Sequence, residues 1–112
     1  MTNEYGDPLD RNGYAPSLLG DWCYCALCFQ FAPKLQRHEV FHNDMGGRTR
    51  EKSKRYGLWL SVCPVCHARA QYKADISNAL KIRAQRMAMN KYGWTLDDWR
   101  ERFGKNYLEV NS

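Results

Sequence analysis

Cys25-Ala-Leu-Cys28 and Cys63-Pro-Val-Cys66 form two Cys-x-x-Cys pairs with 34 residues between them, and His67 follows the second pair directly. Each short pair can turn two thiolates onto one tetrahedral ion at about 2.3 Å, so the two pairs together make a full ligand set for a structural zinc. Ordinary buried thiols do not need this spacing, and disulfides belong to exported chains, which this sequence does not resemble. Cys23 lies one residue from Cys25 and is expected to be a small packed hydrophobe, not a ligand. Between the pairs stand His38 and Glu39, with His42 beyond them. A neutral imidazole can take a proton at pH 7 while a nearby cation offsets the charge of a phosphodiester, which makes His38 a candidate general base. Arg48, Arg50, Lys52, Lys54 and Arg55 follow two glycines and put five cations into eight residues. They are expected to form a loop that lays its charges along a DNA backbone.

The elements needed to hold these groups can be read from the rest of the chain. At 112 residues and 44% hydrophobic content, the chain suits one domain whose core is thin enough to benefit from a metal staple. No apolar run near 18 residues and no charged-then-apolar leader occurs, so no membrane contact is expected and a reducing cytoplasm is the expected setting. Residues 32–91 hold 13 Lys or Arg against 4 acids, whereas residues 1–31 carry −3 and residues 92–112 carry −1. Positive charge thus coincides with the cysteine pairs, and nucleic acid is the expected partner.

Residues 1–20, rich in Gly, Pro, Asn and Asp, read as a flexible or loosely draped arm, residues 21–108 as one zinc-stapled domain, and residues 109–112 as a frayed tail. Trp22, Tyr24, Phe29 and Phe31 are expected to pack over the zinc. Lys34 to His42 and Leu58 to Val62 read as the two strands of a hairpin, the second delivering Cys63. From His67 to Tyr92 the pattern is helical, with Ile76, Leu80, Ala84, Met87 and Ala88 on one stripe, a break near Asp75, and Gly93 as the terminator. Thr95 and Asp98 predict a capping box opening a short helix that presents Leu96, Trp99 and Phe103 on one face.

The segments Arg37-His38-Glu39-Val40-Phe41, Lys54-Arg55-Tyr56-Gly57-Leu58, Cys63-Pro64-Val65-Cys66-His67 and Phe103-Gly104-Lys105-Asn106-Tyr107-Leu108 resemble the small phage-borne His-Asn-His (HNH) nucleases. They are similar in particular to the recombination-enhancement, RecA-dependent group. The resemblance covers about residues 23–108 and implies an α+β fold: a treble-clef-like ββα-metal finger stapled by zinc, followed by a C-terminal helical segment. It further implies a DNA endonuclease in which His38 is the strand base and His67, at the helix start, holds a catalytic Mg²⁺ or another divalent ion. A recombinase filament is an implied partner, and the host cytoplasm the implied setting if the chain is phage-encoded.

Two positions depart from the family pattern. Arg37 and Glu39 flank His38 where relatives carry a second His or an Asp, so either Glu39 ligates the ion and His38 is the base, or the two exchange roles. Thr49-Arg50 stands where relatives show Asn-Arg, leaving Asn43 either to orient the strand His or to be a plain loop residue. The alternative reading is a non-catalytic zinc-dependent DNA-binding module on the same scaffold. A zinc module for protein contacts is the third, disfavoured by the concentrated positive charge.

Overall fold

A computed structural model of the chain describes residues 1–42 and 48–108. Residues 43–47, Asn43 among them, and residues 109–112 lie outside the described residues. The described part is a small α+β unit with a two-stranded sheet, four helices and a cluster of four cysteines. Among the described residues no helix is long and apolar enough to cross a membrane.

β1 (Gln36–Glu39) pairs antiparallel with β2 (Trp59–Val62) in the register Gln36 with Val62, His38 with Leu60 and Glu39 with Trp59. Trp, Leu and Val suit a pleated buried surface, and β2 is buried along its whole length. Because successive side chains alternate between faces, Gln36 and His38 lie on one side of the hairpin and Arg37 and Glu39 on the other.

The connection between the strands corrects the expected basic loop, because Arg48–Arg55 is a helix, α1. Lys, Arg and Glu are good helix formers, and the buried residues Thr49 and Ser53 stand four apart on one face. Ser53 Oγ donates to Phe41 O at 2.8 Å and accepts from Phe41 N at 3.1 Å, fastening α1 to the end of β1. The chain leaves α1 through Gly57 at φ 75°, where a Cβ would collide with the Pro16 carbonyl oxygen.

That close approach is one of several that overturn the expected loose arm. Ala15 N donates to Lys54 O at 2.9 Å, Trp59 Nε1 to Ala15 O at 2.8 Å, and Asn3 Nδ2 to Arg55 O at 2.9 Å. Residues 1–20 therefore run as a strap whose backbone hydrogen bonds close against α1 and β2. Buried backbone groups must find partners, and the strap supplies them where the two-stranded sheet cannot.

α2 (Pro64–Tyr72) starts on Cys63, and α3 (Ala74–Tyr92) follows after a break at Lys73 and ends on Gly93 in the left-handed region at φ 68°. α4 (Leu96–Phe103) opens with the capping box: Thr95 Oγ1 accepts from Asp98 N, and the Asp98 carboxylate accepts from Thr95 N. Its buried Trp99 and Phe103 meet Phe41 with ring centroids 5.3 and 5.0 Å apart, which packs the helical end against the hairpin. Gln85, buried in α3, closes the same core by donating to Asn106 Oδ1 and accepting from Tyr107 N, each at 2.8 Å.

Candidate functional site

The four cysteines converge as their spacing predicted. One sulfur from each of Cys25, Cys28, Cys63 and Cys66 lies within 4.8 Å of every other, close enough to hold one metal ion. Cys28 Sγ and Cys63 Sγ are 4.0 Å apart. A tetrahedron with Zn–S near 2.3 Å has sulfur edges of about 3.8 Å, so the set fits a structural zinc. Local backbone prepares it: Leu27 N and Cys28 N donate to Cys25 Sγ at 3.4 and 3.5 Å, and Cys66 N donates to Cys63 Sγ at 3.4 Å. Burial alone would raise the Cys25 thiol, but hydrogen bonds from the backbone of Cys28, Cys63 and Leu27 bring it down to about 6. Burial, followed by hydrogen bonds to the other three cysteines, pushes the Cys66 thiol up. Four thiolates cannot share so small a space without a cation between them.

Two expectations around this centre are corrected. Cys23 is exposed, not packed. Trp22, Phe29 and Phe31 do not cover the cysteines but face outward, since a four-thiolate cluster fastened by backbone N–H groups needs no aromatic lid. Trp22 stacks on Tyr24 at 5.3 Å instead.

On the hairpin face that carries Gln36 and His38, β1 looks onto the start of α2. The His38 and His67 ring centroids are 5.3 Å apart, and those of His38 and His42 are 5.7 Å apart. His67 Nδ1 lies 2.6 Å from Gln36 Oε1. That oxygen can only accept, so the pair selects the ring form with a proton on Nδ1, the arrangement by which a second residue orients a ligand or a proton-transfer group. His38 is 3% exposed. Burial, then the neighbouring His67, His42 and Lys81, pushes it down to about 4, so it is neutral at pH 7.

Neither Gln36 nor His42 was anticipated. Gln36 was legible from its place two residues before His38, on the same strand face. His42 lies past the end of β1, where the chain is no longer bound to strand alternation, and its ring comes back to His38.

Glu39 goes the other way. It accepts from Tyr14 Oη at 3.0 Å and lies 4.0 Å from Arg50 Nε, on the face where the Arg37 guanidinium sits over Tyr14 at 4.2 Å. Burial, then the Glu39 charge, pushes the Tyr14 hydroxyl up to about 12, which keeps it a donor. Strand alternation therefore separates Glu39 from His67, and the expected Glu39–His67 pair on a catalytic ion does not form. Among the described residues, the charges acting on His38 come from His67, His42 and Lys81. Imidazoles suit late first-row transition ions, whereas Mg²⁺ demands oxygen ligands. Among the described residues, His38, His42 and His67 offer nitrogen donors and do not by themselves make a Mg²⁺ site.

The five expected DNA-binding cations are also redistributed by their helix. On α1, Arg48, Lys52 and Arg55 fall on one side and Arg50 and Lys54 on the other, so they do not form a single stripe. Lys52 Nζ donates to Arg102 O at 2.6 Å, Lys54 is 3.4 Å from Glu51, and Arg55 is 2.9 Å from Glu4. Thr49, at the position of the family Asn, is buried.

The His38 environment gives a stability signature. In the unfolded chain the imidazole returns to its ordinary value of 6.5, so between pH 6.5 and about 4 the unfolded state binds the extra proton. Stability contributed by the neutral buried ring is complete above pH 6.5 and is lost as pH falls through that window. In denaturant titrations the wild type is expected to lose about 2 kcal/mol more than His38→Gln between neutral pH and pH 4. Parallel losses in the two proteins would show that His38 does not titrate as a buried neutral group.

No family model, no curated protein and no solved structure matches this chain.

Proposed function

We propose that this chain is a metal-assisted DNA endonuclease of the HNH type, built on a treble-clef-like finger whose four cysteines hold a structural zinc. The observation that carries the proposal is the facing of His38 on β1 and His67 on α2, 5.3 Å apart between ring centroids, beside the cysteine cluster. A neutral, buried imidazole on a strand and a second imidazole of fixed tautomer on a helix are the two groups that phosphodiester hydrolysis needs.

In this reading His38 accepts the proton of the attacking water as the new O–P bond forms and the ester P–O bond breaks. The approaching phosphate is anionic and raises His38 from its depressed value, so the ring becomes a better base when substrate is present. His67, held at Nδ1 by Gln36, has Nε2 left to offer an ion, and Lys81 adds positive charge nearby. A divalent ion there would neutralise charge on the scissile phosphate, and the available donors favour Mn²⁺, Co²⁺, Ni²⁺ or Zn²⁺ over Mg²⁺.

The second reading, a non-catalytic zinc-dependent DNA-binding module, is favoured by Glu39 facing away and by buried Thr49 in place of the family Asn. Plasmid nicking measured ion by ion separates the two: turnover supports the nuclease, and DNA binding without turnover under every ion supports the module.

A further inference from the structure

A concave track leads away from the cysteine cluster along α3. It begins between the two cysteine pairs beside Val65 and Arg69. Cys66 and Arg69 are shared with the next hollow, Leu27 and Ile76 with the one after, and Ala79 and Arg83 with the last, which ends at Arg86 and Met87. The floor is apolar, and the rim carries Arg69, Arg83 and Arg86 with one acid, Asp75, at a middle hollow. Residues 64–92 carry Arg69, Lys73, Lys81, Arg83, Arg86 and Lys91 against the single acid Asp75. Of these cations only Lys91 belongs to one of the five ion pairs among the described residues, with Asp7 at 3.3 Å. The arrangement is the reverse of α1, where Lys54 and Arg55 are held in ion pairs and Lys52 is spent on a backbone carbonyl.

Flat apolar surface lies beside the head of the track. Val65, Arg69 and Tyr72 share one face of α2, with Val65 62% and Tyr72 82% exposed. Across the cluster, Phe29 and Phe31 flank Gln30, which lines the same hollow, and are 67% and 78% exposed. Phe29 sits at φ 62°, a conformation that Gly or Asn adopts more easily, so an exposed aromatic is kept where folding alone favours a smaller residue.

We infer that this track binds a single strand of nucleic acid, with Arg69, Arg83 and Arg86 on its phosphates and Tyr72, Phe29 and Phe31 as stacking platforms. An uncompensated row of cations calls for a ligand of repeating negative charge. Guanidinium forks fit phosphate oxygens, and aromatic faces accept any base without reading its sequence. The assignment rests on the reading that the partner is nucleic acid and is independent of cleavage.

The test is fluorescence anisotropy, without added divalent ion, on the zinc-loaded full chain and a labelled single strand about 20 nucleotides long. Arg69→Gln/Arg83→Gln/Arg86→Gln is expected to bind about tenfold more weakly or worse and to lower the slope of log affinity against log salt by about 2. Its melting temperature should match the wild type, since all three side chains are exposed. Tyr72→Ala is expected to lose about fivefold or more while keeping the salt slope. If the wild type binds and the triple variant binds equally well, the track is wrong and the nucleic-acid reading stands. No wild-type binding to any nucleic acid overturns both. A duplex bound as tightly as the single strand, or polyglutamate competing as well at equal charge, overturns the assignment to a single strand.

Discussion

Cys66→Ala, or complete withdrawal of the bound metal, is expected to melt the region around the two cysteine pairs and remove most of the cooperative unfolding transition. The magnitudes decide this. A structural zinc in a small finger contributes about 10–16 kcal/mol at neutral pH, while a domain of ordinary size has a net stability of only about 5–15 kcal/mol. Cys25 and Cys66 are themselves members of the buried core, so losing the ion also leaves thiols in apolar surroundings without the cation that lets them ionise. The loss should be uneven. In the zinc-bound reading residues 23–31 and 59–72 depend on the ion, whereas α3 and α4 are also held by the Phe41, Trp99 and Phe103 ring contacts and the Gln85 hydrogen bonds, in a part of the shared core that needs no cysteine. Hydrogen exchange on the metal-stripped protein should show protection lost first in the former and retained longest at Ala84, Ala88 and Trp99. Cys23→Ala serves as the control, because that thiol is exposed, and should stay within about 0.5 kcal/mol of the wild type. An unchanged melting curve after zinc loss confirmed by elemental analysis would show that the cysteines pack as plain hydrophobes.

The cysteine centre was legible because its information is local: two ligands per turn, with the turn fixed by three-residue hydrogen bonds onto sulfur. The same holds for the capping box at Thr95 and the terminator at Gly93, where the few residues that make the signal also satisfy it. Glu39 was not legible in this way. Its neighbour His38 fixes the face Glu39 must avoid, and strand alternation applied to that pair already separates them. Neighbours in sequence on a strand face opposite sides of the sheet, so His38 and Glu39 cannot share one site. The basic stretch failed for a different reason. Its two preceding glycines suggested a loop, but Thr49 and Ser53 form a buried pair at helical spacing that only the tertiary contact with Phe41 makes decisive. The N-terminal strap was hidden because its anchoring is a scatter of polar and aromatic contacts to distant residues, such as Glu4 with Arg55 and Tyr56 and Tyr5 with Tyr92 and Trp94, joined by a few backbone hydrogen bonds, which leaves no periodic apolar pattern to read. The outward aromatics were misplaced because residues next to a metal site were assigned to its cover, although four thiolates and their N–H donors already complete the shell.

The imidazole pair carries the functional proposal and its largest kinetic prediction. His38→Ala is expected to lower DNA nicking by about 10²- to 10⁴-fold, the usual range for removing a positioned general base. Gln36→Ala should cost about 10- to 100-fold by freeing the His67 tautomer, and a rise in the metal concentration needed for half-activity should accompany the loss. Glu39→Gln should leave the ion requirement unaltered, because its carboxylate faces Tyr14 and Arg50 across the sheet from His67. A role for Glu39 in ion binding would reappear as a shifted metal requirement in that variant and would contradict the separation of the two faces. Mn²⁺, Co²⁺ or Ni²⁺ should support more turnover than Mg²⁺, since among the described residues the groups facing His38 are the imidazoles of His67 and His42, which offer nitrogen donors. Each variant is compared at equal structural zinc and equal DNA binding, which keeps an unfolded protein from passing as an inactive one. Nicking that survives His38→Ala under those conditions would remove His38 from the reaction. Absence of nicking by the wild type under every ion, with DNA binding intact, would assign the scaffold to binding alone, in keeping with the buried Thr49.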